Sequence, residues 1–157
     1  MGRYYNTNTG RDGKFMFAVQ PSSDPEVMGM HEQGATYINY YAEKSDENNI
    51  KENLEKEYDA LEIPKEDRIY YIELNGQEKY AKYEREHFFD KVFIYVKKDD
   101  KEALEKYKGM IPYVSDRDEY ECFGTNEKVL HLARIRLALI ILSDIKDDGY
   151  CELEAEL

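Results

Sequence analysis

The stretch from Thr125 to Leu157, TNEKVLHLARIRLALIILSDIKDDGYCELEAEL, decides the fold because a helical pattern in it gives way to an alternating one. Thr125 is a favourable N-cap, and the run after it predicts a helix over about 126–144 whose polar face is too narrow for a surface position. The final segment, Tyr150–Leu157, alternates apolar residues with glutamates and predicts a strand with one buried face. A buried helix followed by a half-buried strand indicates an α+β fold.

A strand near the start of the chain is the expected partner of this terminal strand. Lys14–Gln20 alternates phenylalanine and valine with less apolar residues, and the glycines before it predict a hairpin around Asn8–Gly13. The β-branched and aromatic run Thr36–Ala42 predicts another strand. We therefore expect the N- and C-terminal strands to pair in a mostly antiparallel sheet.

The middle of the chain supplies the remaining elements. Apolar spacing predicts the helices Ser45–Leu61 and Gln77–Phe89, and composition predicts the strands Arg68–Leu74 and Val92–Val96. The chain has 157 residues, enough to bury one sizeable core. We therefore expect a single globular α+β domain over 1–157, with the sheet packed against three to four helices.

Charge is the second informative feature of the chain. Its 34 Asp and Glu residues against 22 Lys and Arg residues give a net charge of -12. Proteins that grip nucleic acid present clustered lysine and arginine to the phosphates, so direct binding of nucleic acid is not expected. A basic protein surface is the expected partner instead.

The sequence also argues against a membrane span, a signal peptide, a disulfide framework and a Cys-rich zinc site. The longest purely apolar run, Leu137–Leu142, is far shorter than the roughly 18–20 residues that span a bilayer, and the opening MGRYYNTNTG lacks the apolar core of a signal peptide. Two cysteines, Cys122 and Cys151, are too few for a disulfide framework or a Cys-rich zinc site. We expect a soluble cytoplasmic protein with no membrane partner, no metal and no cofactor.

Two regular rows of carboxylates are the leading candidates for a partner-binding surface. One row follows the exposed side of the helix Ser45–Leu61, and the other follows the outward side of the terminal strand. Their spacing approximates a sparse row of phosphates, so such a surface could occupy a basic nucleic-acid channel. Ordinary solvation of a helix and of a one-sided strand explains the same pattern. The two rows are Glu52, Glu55, Asp59 and Glu62, and Glu152, Glu154 and Glu156.

The loop Met28–His31 is a further candidate contact surface. Its two flexible thioethers and the imidazole of His31 lie in a glycine-containing segment that could adapt to a partner. The alternative is that the loop folds back over the sheet with Met28 and Met30 in the core.

Glu127, His131 and Arg134 are candidates for a different kind of site. Their helical spacing places them on one side of the predicted long helix, where His131 could serve acid–base chemistry or line a small pocket. The alternative is a polar cluster at the edge of the core. No residue pattern amounts to a catalytic signature, so we assign no catalytic residue and favour a protein that is not an enzyme.

These observations favour a non-catalytic, acidic interaction protein that binds a basic protein surface. Two alternatives remain open. One is a small-ligand-binding protein or an unrecognised enzyme with a pocket at His131 and Arg134, and the other is a structural subunit that forms homo-oligomers through its terminal strands. The sequence does not determine the oligomeric state.

The two ends of the chain resemble a set of small uncharacterised proteins of phage, viral and environmental origin. The resemblance rests on the opening MGRYY, on GKFMFAVQPSSD after it, and on the ending GYCELEAEL. It implies that the termini form one structural unit. A phage-type origin also implies, as an expectation, a nucleic-acid mimic that inhibits a host nucleic-acid-handling or defence enzyme, but it implies no catalytic residue.

Overall fold

The computed structural model describes residues 4–9, 13–14, 23–33, 39–74, 76–113, 115 and 117–155. Within these ranges the chain has the predicted α+β class. The strands are β1 (Tyr4–Thr7), β2 (Gly13–Lys14), β3 (His31–Gln33), β4 (Asn39–Glu43), β5 (Phe93–Lys97), β6 (Ile111–Tyr113), β7 (Tyr120–Gly124) and β8 (Tyr150–Ala155). The helices are α1 (Asp24–Val27), α2 (Glu47–Ala60), α3 (Gln77–His87), α4 (Phe89–Val92), α5 (Lys101–Lys106) and α6 (Asn126–Asp148).

The predicted long helix is confirmed as α6, which runs through the core. Its first turn is capped by Thr125, whose hydroxyl accepts a hydrogen bond from the Lys128 amide at 3.3 Å. The helix continues past its predicted end to Asp148 and stops where Gly149 adopts the left-handed conformation, with φ of 86°. Most residues in the range 129–145 are buried, so other elements enclose the helix on nearly all sides.

Five strands form one antiparallel sheet in the order β2-β1-β8-β4-β3. The predicted N-terminal hairpin is confirmed in the described residues, where Tyr4 pairs with Lys14. The predicted pairing of the two chain ends is also confirmed, but it is made by β1, in which Thr7 lies opposite Leu153. Residues 15–20, the rest of the predicted N-terminal strand, lie outside the described residues. Since β8 lies between β1 and β4, it is an interior strand and offers no outer edge to another copy.

A second antiparallel sheet has the order β5-β7-β6. Its first strand corresponds to the prediction at Val92–Val96. The sequence did not predict β6 or β7, because the charged residues around them have the composition of a loop. The strand β7 leads into α6 through Thr125, so the second sheet is connected directly to the core helix.

The core lies between α2, α6 and the inner face of the five-stranded sheet. On β4 and β8, buried residues alternate with partly or fully exposed ones, as expected for a sheet with one covered face. The inner face contributes Tyr40, Ala42, Cys151 and Leu153, and α2 contributes Ile50, Leu54 and Tyr58. The other side of the sheet therefore keeps its side chains accessible.

The predicted strand Arg68–Leu74 is wrong. The segment has strand composition, but its backbone groups bond to side chains of other elements. The Tyr58 hydroxyl donates to the Ile69 carbonyl at 2.6 Å and accepts from the Ile69 amide at 3.3 Å. The Ile72 amide donates to Ser143 Oγ on α6 at 2.7 Å. These side-chain partners replace a neighbouring strand.

The loop Met28–His31 does not form the predicted contact surface. Met28 and Met30 are buried in the core, as in the alternative interpretation, because α1 and the start of β3 fold this segment inward. The Met28 carbonyl accepts a hydrogen bond from Asn53 Nδ2 on α2 at 3.1 Å. Only His31, the first residue of β3, is exposed.

Candidate protein-binding face

Two of the three predicted pocket residues on α6 take part in internal ion pairs. Arg134 binds the fully buried Asp24, with Nη2 at 3.1 Å from Oδ1, and its Nη1 lies 3.7 Å from Glu57. His131 Nδ1 is hydrogen-bonded to the same Glu57. Burial by itself lowers the pKa of the Arg134 guanidinium, but its bonds to Asp24 raise that pKa overall. These contacts tie α1 and α2 to α6.

The third residue of that predicted pocket is separate from the other two. Glu127 is exposed on the first turn of α6, and no ion pair or hydrogen bond joins its side chain to any other described residue. The structure therefore does not bring Glu127, His131 and Arg134 together. The polar cluster at the edge of the core is the interpretation that agrees with these contacts.

Arg68 binds the two middle residues of the predicted row of carboxylates on α2. Its guanidinium binds Glu55 through Nη1 and lies 2.9 Å from Asp59 Oδ1 through Nη2. These two carboxylates therefore hold the segment after α2 against the helix, and the single positive charge of Arg68 offsets one of their two negative charges. Only Glu52 and Glu62 of the row remain exposed without such a partner among the described residues, so a row of four available charges is not formed.

A third arginine group lies between α3 and α6. Arg136 Nε donates to Glu84 Oε2 at 2.7 Å, and the Tyr80 hydroxyl donates to the same oxygen at 2.7 Å. Burial strongly raises the pKa of the Tyr80 phenol, and the charge of Glu84 adds to the effect. For Arg136, burial alone lowers the pKa, but the charge of Glu84 raises it overall. This carboxylate is structural.

The outward side of β4 and β8 differs from these three groups because its carboxylates lie beside tyrosines instead of arginines. Residues opposite each other in an antiparallel pair share one side of the sheet, with Cβ atoms about 4.5–5.5 Å apart. A tyrosine therefore lies opposite a glutamate in two of the three facing pairs, and an asparagine lies opposite a glutamate in the third. We call this surface the tyrosine–glutamate face. Its facing pairs are Glu43 with Tyr150, Tyr41 with Glu152, and Asn39 with Glu154.

The two tyrosines of this face pack on each other. The ring centroids of Tyr41 and Tyr150 are 6.3 Å apart, and the ring planes differ by 27°. The Tyr41 hydroxyl donates to Glu43 Oε2 at 3.1 Å, and the Ser45 hydroxyl donates to Glu43 Oε1 at 3.1 Å. The rings and one carboxylate are therefore held in place before any partner arrives.

The negative charge of the face affects the pKa of the Tyr41 phenol. The hydrogen bond to Glu43 raises the pKa of the Tyr41 hydroxyl, and the charge of Glu152 on the neighbouring strand contributes in the same direction. Glu152 and Glu154 are both exposed. The same negative charges would attract a cation that approached the face.

A shallow cavity of about 320 Å³ adjoins the face at the end of β1. It is lined by Glu152 and Glu154 and by polar residues of the neighbouring strands. The Asn8 side chain marks this point, since its Oδ1 accepts a hydrogen bond from the Glu152 amide at 2.9 Å. The face therefore continues into a polar depression.

The sequence predicted part of this face and missed the rest. Glu152 and Glu154 lie where the alternation of the terminal strand placed them, and Glu156 lies outside the described residues. His31 is at the edge of the sheet, with Nε2 at 2.9 Å from Asp46 Oδ1. The missed residues carried a usable signal, because the segment NYYAE alternates too: Tyr41 and Glu43 point outward, as does Tyr150 on β8.

The same described residues also bear on metal binding and on crossing a membrane. They contain no group of three or more His, Cys, Asp or Glu side chains placed to hold a metal ion. None of their helices combines the length and the apolar character needed to cross a membrane. Two more cavities, of about 270 and 360 Å³, flank the segment Ile69–Leu74.

Comparison of the chain with protein-family models, with curated proteins and with solved structures gives no match. The geometry of the tyrosine–glutamate face is therefore the basis for a functional assignment.

Proposed function

We propose that the protein binds a basic surface of another protein through the tyrosine–glutamate face and catalyses no reaction. The observation that carries the proposal is the register of β4 and β8, which gathers three glutamates and two tyrosines on one accessible side of the sheet. Tyrosine supplies rigid contact area with a polar end, and it is enriched at protein interfaces. Carboxylates around it favour a partner of opposite charge.

The distribution of the carboxylates supports this face over the row on α2. Glu55 and Asp59 share the guanidinium of Arg68, which offsets one of their two charges, whereas Glu152 and Glu154 are exposed on an interior strand that two neighbours hold in place. An enzyme that handles nucleic acid is one class of partner that the proposal includes, because such enzymes present basic surfaces to phosphates. Inhibition of that enzyme would follow if the face covered its nucleic-acid channel.

Two matched double variants test the proposal. Glu152→Gln with Glu154→Gln removes two exposed charges from the face, and Glu52→Gln with Glu62→Gln removes two exposed charges from α2 and its end. The probe is a basic peptide with mixed lysine and arginine, titrated at low and at high salt. Loss of two close contacts at about 0.5 kcal/mol each predicts roughly five-fold weaker binding for the sheet variant at low salt.

The helix variant should bind almost as well as the unmodified protein, and high salt should weaken binding by the unmodified protein. Equal losses in both variants would show that only net charge matters and would overturn the proposal. Binding that did not respond to salt would overturn it too. Circular dichroism of both variants checks that the fold is unchanged.

A further inference from the structure

We infer that the tyrosine–glutamate face receives arginine side chains of the partner, each guanidinium stacking on the Tyr41 and Tyr150 rings while it hydrogen-bonds to Glu43 and Glu152. This inference rests on the proposed function and specifies its chemistry. It distinguishes an arginine-bearing partner from a partner that is basic only through lysine.

The first support is a place in this chain where an arginine lies over a tyrosine ring and binds two carboxylates. The Arg68 guanidinium carbon lies 5.5 Å from the centre of the Tyr58 ring. The same guanidinium reaches two carboxylates, Glu55 and Asp59, on one side of α2. A tyrosine flanked by two carboxylates is therefore a site that an arginine occupies in this fold.

The second support is a similar arrangement beside the second sheet. The Arg117 guanidinium carbon lies 3.9 Å from the centre of the Tyr95 ring, on β5. Its Nη2 donates to Asp90 Oδ1 at 2.8 Å. The combination of a tyrosine ring, a carboxylate and an arginine thus occurs at two separate places.

At the tyrosine–glutamate face the ring and the carboxylates are present without the cation. Tyr41 and Tyr150 lie in register with Glu152 and Glu43 respectively, and among the described residues no lysine or arginine lies over either ring. His31 lies opposite Tyr41 on β3, and its imidazole is bound to Asp46. A cation supplied by a partner would complete the pattern.

Two lysines also lie over a tyrosine ring in this chain. Lys51 and Lys146 lie over the Tyr71 ring, with Nζ at 5.3 and 4.7 Å from its centre. Lys51 pairs with one carboxylate, Glu47, at 3.1 Å. A guanidinium is planar and carries five donors, so it can stack on a ring and reach two carboxylates at once, as an ammonium cannot. The face presents two carboxylates beside the rings and therefore favours arginine.

The test compares two short peptides of equal length and charge, one with arginine at every basic position and the other with lysine. Titration calorimetry with the unmodified protein should give about three-fold tighter binding of the arginine peptide, as expected for an exposed stacking contact. The double variant Tyr41→Leu with Tyr150→Leu removes both rings and should lose this preference. The double variant Tyr41→Phe with Tyr150→Phe retains both rings and should keep it, which separates stacking from a general structural role.

The outcomes distinguish the inference from the proposed function. Equal affinity for the two peptides in the unmodified protein would overturn the inference, and so would an arginine preference that survives in the folded double variant Tyr41→Leu with Tyr150→Leu. If Glu152→Gln with Glu154→Gln still weakened both peptides, the proposed function would stand without the arginine preference. Absence of binding by either peptide would overturn both.

Discussion

The carboxylates around α6 and those on the outer side of the sheet have opposite surroundings. Asp24, Glu57 and Glu84 are buried, and each is paired with an arginine of α6. Glu152 and Glu154 are exposed beside tyrosine and asparagine. Acidic residues therefore serve two purposes here: one set connects the helices and the other set charges a surface.

The difference shows that net charge alone is a poor guide to a binding surface. A carboxylate in the core has lost its hydration, and its interaction with a partner arginine compensates for that loss. An exposed carboxylate keeps its water and contributes little to folding. Only the second kind is available to another molecule, and the predictions below separate the two kinds.

The largest effect is expected when one half of a buried pair is removed. Glu84→Ala leaves the Arg136 guanidinium buried without its carboxylate, so the free energy of unfolding should fall by about 3–5 kcal/mol. Urea unfolding at neutral pH measures this change. Glu84→Leu combined with Arg136→Met removes both charges and should recover much of the loss. A cost of less than about 1 kcal/mol for Glu84→Ala would contradict the structural role of this pair.

A rise to alkaline pH should lower the free energy of unfolding mainly through two buried tyrosines. Burial raises the pKa of the Tyr58 and Tyr80 phenols above the usual 10.0, so above that pH the unfolded chain loses these protons while the folded chain retains them. Stability should therefore fall as the pH rises past about 10, by up to about 1.4 kcal/mol per pH unit for each tyrosine.

Unfolding measured between pH 8 and roughly pH 11 tests this slope. Tyr80→Phe should make the fall shallower because one of the two phenols no longer titrates. Tyr41→Phe, on the exposed face, serves as the control and should leave most of the fall in place. An unchanged slope in Tyr80→Phe would show that this phenol does not contribute.

A smaller effect is expected at Glu62, an exposed acid whose backbone is strained. It follows α2 with φ of 55°, in the left-handed region, while the Ile63 amide bonds back to the Tyr58 carbonyl at 3.0 Å. Glycine adopts this conformation without a steric penalty. Glu62→Gly should raise the free energy of unfolding by about 0.5 kcal/mol, whereas Glu62→Ala should not.

The smallest effect on stability is expected on the tyrosine–glutamate face. Glu152→Gln with Glu154→Gln should change the free energy of unfolding by less than about 0.5 kcal/mol, because both side chains are exposed. Thermal and urea unfolding of this variant would show it. A large destabilisation would mean that these glutamates belong with the buried set, and the contrast between the two regions would disappear.

Local patterns were sufficient for some elements. The Thr125 cap, the apolar helix after it and the alternation in the terminal strand are each encoded within a few residues, so α6 and β8 could be predicted. The strand composition of Arg68–Leu74 led to a wrong prediction. Tyr58 and Ser143 bond to its backbone from distant elements. Tertiary contacts of this kind leave no local pattern in the sequence.

The candidate face required information that one segment does not hold. The alternation of the terminal strand predicted that Glu152 and Glu154 point outward, but only the strand register places Tyr41 beside Glu152. The surroundings of the row on α2 were missed for a related reason. Helical spacing aligned Glu55 and Asp59, but it could not show that Arg68 folds back onto them.

The central position of β8 has a consequence for the order of events during synthesis. The strands β1 and β4 are made early, but neither can complete its pairing until β8 arrives to lie between them. Since β8 follows α6 along the chain, a nascent chain that has not yet extended past α6 lacks the centre of the sheet. It therefore also lacks the register that sets Tyr41 beside Glu152. A partner that requires this face would recognise the chain only after β8 has emerged from the ribosome and inserted.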